Sequence, residues 1–287
     1  MRRESSHESR VTSHRAPRAR GVTLVEMIVV IAITGIVAAA IAIFVRSPVE
    51  GYVDAARRAE LTDIADTALR RITRDLRTAL PNSIRTTTSG NVRYIEYLQT
   101  KGGGRYRADK DSGGAGFPLD VTAAISDFDV IGTMPALASG DSIVIYNLTA
   151  DSAVPTGNAY AGDNREAYSS NTATTITLGA AKQFPFASPG KRFQVVQYPV
   201  TYSCDPLPLG TGQLRRYWGY SIAAVQPTPP AGGSNALLAT NVSDCSFSYD
   251  PATGASGRTG VVALILQIEQ SGEKVRLFQQ VHVSNVP

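Results

Sequence analysis

Histidine is nearly missing from this chain. Of 287 residues three are histidines, and two of them, His7 and His14, fall within the first 21 positions. His282 is left alone, so schemes that set an imidazole beside a serine, a cysteine or other metal ligands have little to draw on. Aromatic residues make up 7%, and there are two cysteines. Positive charge is absent where nucleic acid would need it. The chain holds 28 basic and 24 acidic residues; six arginines (2, 3, 10, 15, 18 and 20) and two glutamates precede Val22, leaving 22 of each sign afterwards. The whole excess of +4 therefore sits in the first 21 residues. The remainder has no basic stripe interleaved with aromatics, and binding of DNA or RNA by the folded part is not expected.

What is present begins at Val22. The run to Val45 is apolar for 24 residues apart from one charge, Glu26. As a helix it would measure about 36 Å, enough to cross a hydrocarbon core of about 30 Å. The arginine cluster before it outweighs Arg46 after it, which predicts a cytoplasmic N-terminus and an external, periplasmic remainder. A cleaved secretory signal would have a shorter apolar core, no carboxylate and a cut after the core. A plain membrane anchor fits length and flanks but gives no reason for Glu26. An ionisable group in a span costs about 2.5–3.5 kcal/mol at the centre by insertion scales.

Arg20-Gly21-Val22-Thr23-Leu24-Val25-Glu26 ahead of a long apolar helix resembles the prepilin cleavage motif. The resemblance implies that a membrane prepilin peptidase cuts after Gly21, removes residues 1–21 as a leader, and N-methylates Val22. Val22 departs from the aromatic or methionine residue the family commonly has there. It also implies that Thr23, Leu24 and Glu26 belong to the assembly contact, with Glu26 meeting the α-amine of a neighbouring subunit. Pairing gives a buried carboxylate its partner, and an unpaired one is strongly penalised. Other pilin or pseudopilin subunits, the inner-membrane assembly platform and membrane lipids are the implied partners. No cofactor is implied.

Beyond the span, Leu61, Ile64, Ala65, Ala68, Leu69, Ile72, Leu76 and Leu80 recur at steps of three and four, predicting an amphipathic continuation over 46–81 that stops at Pro81. Arg70, Arg71, Arg74, Asp75 and Arg77 fall mostly off this stripe, and the arginines read as a solvated or subunit-facing surface. Gly35 is a soft point, and Pro48 removes the hydrogen bond to the Phe44 carbonyl, so a kink or local melting is expected there.

Residues 82–287 change to short alternating runs broken by Gly, Pro, Asn, Asp and Ser, which predicts β structure. Candidate strands cover 92–98, 142–148, 174–178, 192–198, 214–221, 246–249, 261–269 and 274–283. The last two form a hairpin whose apolar faces, Val262, Leu264, Leu266 and Ile268 against Val275, Leu277, Val281 and Val283, need the amphipathic helix as cover. Segments 101–116, 150–171 and 226–236 read as loops. The glycines of the first lack the frame of a phosphate loop. Ser188 to Lys191 reads as a turn. Asp151, Asp163, Asn164 and Glu166 lack the alternation of a calcium loop and read as a solvated acidic loop. Cys204 and Cys245, placed outside the cytoplasm by the charge pattern, are expected to form a structural disulfide.

The expected fold is therefore α+β and type IV pilin-like, a long N-terminal helix packed on an antiparallel sheet. Residues 70–77, 79–85 and 237–249 resemble the MshO-type minor pilins of MSHA-like pili, and the layout also resembles J-type pseudopilins of type II secretion and W-type minor pilins. The resemblance implies a non-enzymatic minor subunit that primes or caps a filament, leaving the inner membrane for the pilus. A pseudopilin of a secretion system and a membrane-tethered periplasmic binding module are the alternatives.

Overall fold

The computed structural model describes residues 21–253 and 258–287; the arginine-rich leader at 1–20 lies outside the described residues. The chain divides into two units, up to Asp54 and from Ala55 on. Helix α1, Leu24–Leu76, supplies the first unit and begins the second.

In the first unit α1 opens with an apolar stretch whose one charge is Glu26. Leu24–Ala42 has a mean hydropathy of 2.6 and none of it is buried, so it is long and apolar enough to cross a membrane. The helical assignment runs unbroken through Gly35 and Pro48.

In the second unit the predicted stripe is the buried one. Leu61, Ala65, Ala68, Leu69, Ile72 and Leu76 are each at most 2% exposed and share one core with the inner face of a large antiparallel sheet. The helix ends at Leu76, ahead of Pro81. Residues 78–80 take a different partner there: the Leu80 N–H donates to the Leu98 carbonyl at 2.8 Å, and the Thr100 N–H to the Thr78 carbonyl at 2.9 Å. Backbone pairing with a strand replaces the next helical turn before the proline is reached.

The strands are β1 (Arg85–Ser89), β2 (Val92–Tyr106), β3 (Ile125–Ile131), β4 (Ser142–Ile145), β5 (Arg165–Asn171), β6 (Thr175–Lys182), β7 (Arg192–Asp205), β8 (Gly212–Trp218), β9 (Ser234–Thr253), β10 (Thr259–Gln270) and β11 (Glu273–Ser284). Their order is β1-β2-β3-β6-β5-β4-β7-β8-β9-β10-β11, with β2 also pairing with β7. That extra pairing closes a ring, β2-β3-β6-β5-β4-β7. The ring has its own core, with Tyr106, Phe128, Phe184 and Phe193 nearly fully enclosed. The long strands β2 and β7 serve both bodies: Arg93–Gln99 pair with Tyr198–Cys204 beneath the helix, and Thr100–Arg105 with Arg192–Val196 in the ring.

The ring corrects the loop assignments. Lys101–Tyr106 is the second half of β2, and its glycines sit where another chain presses close: a Cβ on Gly103 would stand 2.6 Å from the Phe193 carbonyl oxygen. Residues 165–171 form β5, hidden from pattern reading because its side chains are mostly polar. Ser234–Ala236 start β9. Residues 157–160 are buried, so the acidic segment is not simply solvated. Asp163 ties it by accepting from the N–H groups of Gly157 (2.6 Å) and Asn158 (2.9 Å).

The α+β expectation holds: one apolar N-terminal helix is followed by a large antiparallel sheet. The β10–β11 hairpin also falls as predicted, with Leu266 opposite Leu277, Ile268 opposite Val275, and its inner face in the helix-covered core.

Candidate processing and assembly site

Gly21, Val22 and Thr23 precede the first helical residue, Leu24. A helix start leaves its first N–H groups without intrahelical acceptors, and Thr23 satisfies one of them. Its Oγ1 accepts from the Glu26 N–H at 3.2 Å, while its carbonyl accepts the first helical bond, from the Met27 N–H, at 3.1 Å. Thr23 is thus the N-cap, and Glu26 is the third helical residue, the spacing of a capping box. Thr-x-x-Glu is a helix-start signal in its own right, one that the reading of this segment as a cleavage motif left unused.

The arrangement puts a peptide bond, Gly21–Val22, outside the helix and directly before its capped start. Gly21 has open space at its Cβ position, and the side chains of Val22, Leu24 and Glu26 are all exposed. Glu26 also lies in the first turn, where a helix favours negative charge. A protease can reach such a bond without unwinding the helix. Gly35 and Pro48 lie farther along α1, away from this cluster in sequence.

Cys204 and Cys245 form the expected disulfide, with Cα atoms 6.6 Å apart. Both are buried, and they join β7 to β9, strands that have β8 between them in the sheet order.

Two polar clusters hold the folded unit and were not anticipated. Asp75, off the apolar stripe, is nonetheless buried and accepts from the Tyr202 hydroxyl (2.7 Å) and Arg216 Nε (2.8 Å). Glu96, 1% exposed, accepts from Arg85, from the Thr201 hydroxyl at 3.0 Å and from the Tyr220 hydroxyl at 2.8 Å. Arg85 also stacks 3.6 Å from the Tyr160 ring centre. Burial, reinforced by the nearby Glu96 charge, keeps the phenols of Tyr160 and Tyr220 well above their ordinary range and hence neutral. These clusters are structural ties, because each carboxylate is spent on donors of the fold itself. Among the described residues no group of three or more His, Cys, Asp or Glu is placed to hold a metal.

The model of the prokaryotic N-terminal methylation motif matches residues 17–42. The match covers the Gly21–Val22 bond, the Thr23 cap, Glu26 and the apolar helix. It supports a prepilin-like pilin or pseudopilin subunit and suggests a structural role. In general terms the motif implies processing by prepilin peptidase and assembly with other pilins. With the apolar helix it is consistent with a membrane-anchored, single-pass protein. No curated protein and no solved structure matches the chain.

Proposed function

We propose that this protein is a minor pilin or pseudopilin, cut after Gly21, methylated at Val22 and inserted into a type IV, MSHA-like filament that it primes or caps. The observation that carries the reading is the coincidence of the methylation motif with a capped helix start bearing Glu26. In this reading residues 1–21 are the leader, 22–45 the membrane reservoir and later the filament core, and 82–287 the periplasmic body. Thr23 and Leu24 shape the helix start. Glu26 is the assembly contact, an acceptor that finds its ammonium partner only when a neighbour docks in register. Gly35 and Pro48 supply the points at which the helix adjusts on packing. The ring β2-β3-β6-β5-β4-β7 adds bulk that a repeating shaft subunit would have to accommodate at every copy, which favours a minor position.

Mass spectrometry of the mature N-terminus tests the reading. Methylated Val22 is the expected result, and an intact leader would overturn it. Recovery of the chain in sheared filament fractions separates a filament subunit from a tethered binding module, which would stay with the membrane. Loss of secretion, rather than of pili, on deletion would assign it to a J-type pseudopilin role.

A further inference from the structure

Far from the helix start in sequence, β9 carries an edge that the fold leaves open. Ser234–Thr240 pair with β8, from Trp218 opposite Ser234 to Gln213 opposite Thr240. On the other side β10 joins only at Ile268 opposite Val242, beyond Asn241 with its φ of 61°. Among the described residues no strand pairs with the outer edge of 234–240. Such an edge offers free backbone donors and acceptors, and proteins ordinarily guard it with charge, proline or a covering segment. Ser-Asn-Ala-Leu-Leu-Ala-Thr contains neither charge nor proline, and Leu237 is 46% exposed.

Two residues of this edge, Ala236 and Leu238, also line a groove of about 540 Å³. Its opposite wall is the arginine face of α1, Arg70, Arg71 and Arg74, joined by Arg216 and Trp218 of β8. Four guanidiniums are met there by two carboxylates. Asp66 pairs with Arg70, and Asp75 pairs with both Arg71 and Arg216. The groove keeps a surplus of two positive charges. Arg74, on the exposed side of α1, has no acid in ion-pair range among the described residues. A free strand edge and an arginine wall with a surplus of positive charge therefore meet over the same two residues.

We propose that this groove receives an extended acidic peptide segment of a partner protein, added to Ser234–Thr240 as an antiparallel or parallel strand. The backbone edge supplies the main-chain hydrogen bonds, and Arg70, Arg71 and Arg74 take the carboxylates on alternate positions. This surface is separate from the N-terminal site and does not depend on its processing.

Trp218, the only tryptophan of the chain, lies in the groove and reports on its occupancy. The test titrates the full-length protein in zwitterionic detergent, following its tryptophan emission. The probe is a capped peptide of the edge's own length, alternating glutamate and valine. One control carries lysine for glutamate, and another is N-methylated at every second amide. A saturable emission shift with the glutamate peptide, absent with both controls, is expected. Arg74→Glu, at an exposed position, should weaken binding by about tenfold, and added salt should weaken it further. A flat titration with the glutamate peptide, an equal response to the N-methylated peptide, or unchanged affinity in Arg74→Glu would each overturn the proposal. Because the readout is indifferent to cleavage after Gly21, its failure leaves the filament reading standing, and the reverse also holds.

Discussion

Asp75 and Arg216 meet at 2.8 Å where α1 lies on the sheet, although 141 residues separate them in sequence. The same carboxylate oxygen accepts from the Tyr202 hydroxyl at 2.7 Å, and Arg216 lies over the Trp218 ring, 4.9 Å from its centre. Burial, then the charge of Asp75, pushes the Tyr202 phenol above its ordinary range, so it remains a donor. A helix held only by apolar contacts could rotate or slide at modest cost. One carboxylate with two fixed, directional donors removes that freedom.

Replacing Asp75 by alanine leaves Arg216 buried without its counter-charge. Unfolding stability should fall by about 3–5 kcal/mol, the usual result of removing one partner of a buried pair. Urea titration of the full chain in detergent, read by Trp218 emission, measures it. A loss within the range of surface substitutions would show that the seam is held by packing alone.

Glu26→Ala should leave membrane insertion intact, since it removes the one charge of the span. Entry into filaments should drop by about tenfold or more, the weight of roughly 1.4 kcal/mol at the docking contact. Comparing membrane and sheared fractions checks both halves, and unchanged filament entry would dismiss Glu26 as the assembly contact.

Cys204→Ser combined with Cys245→Ser should cost about 4 kcal/mol in the chain-entropy model for the 41-residue separation that the bond closes. Reductant should lower the unfolding midpoint of the native chain and leave that of the double variant unmoved. Equal midpoints for the two proteins without reductant would argue that β7 and β9 are held by the sheet alone.

Asp129 accepts from the Phe117 N–H at 3.0 Å, the Thr175 hydroxyl at 2.8 Å and Arg107 at 3.1 Å. Burial works against its charged form, but these donors prevail and hold its carboxyl below the ordinary carboxylate value of 3.8. A lowered pKa in the folded state stabilises fully above that ordinary value and is lost as pH falls through the lowered one. The melting temperature of the native chain should therefore exceed that of Asp129→Asn near neutrality, with the gap closing below about pH 4. A gap that persists unchanged into acid would contradict the assignment.

Gly103→Ala tests the ring. The added methyl would meet the Phe193 carbonyl oxygen at 2.6 Å and force β2 and β7 apart, at a cost of about 1–3 kcal/mol. Neutral behaviour, seen by thermal unfolding, would mean the segment is as yielding as the loop its sequence suggests.

The N-terminal helix and the terminal hairpin were legible because their signals are local. A 24-residue run with one glutamate, behind an arginine cluster, needs no knowledge of the rest of the chain. Alternation in Val261–Glu269 and Lys274–Val283 likewise fixes which side of the hairpin is buried, since a one-residue slip would reverse it. The disulfide followed from compartment and count, but not its path across β8.

Other features depended on contacts that no local pattern encodes. Lys101–Tyr106 reads as a flexible loop until β7 is placed against it, and then its glycines become the reason two chains can approach. Nothing in the neighbouring sequence of Asp75 or Glu96 points to Tyr202 and Arg216 for the one or to Tyr220 for the other, each more than 100 residues away. The open edge of β9 exists only because β10 stops pairing at Val242. The sequence by itself determined that this protein has a long apolar helix start with a processing motif and a β body behind it. Tertiary structure decided which polar groups are buried, where the ring closes and which edge stays open, because each of these depends on the partner a residue meets rather than on its neighbours in the chain.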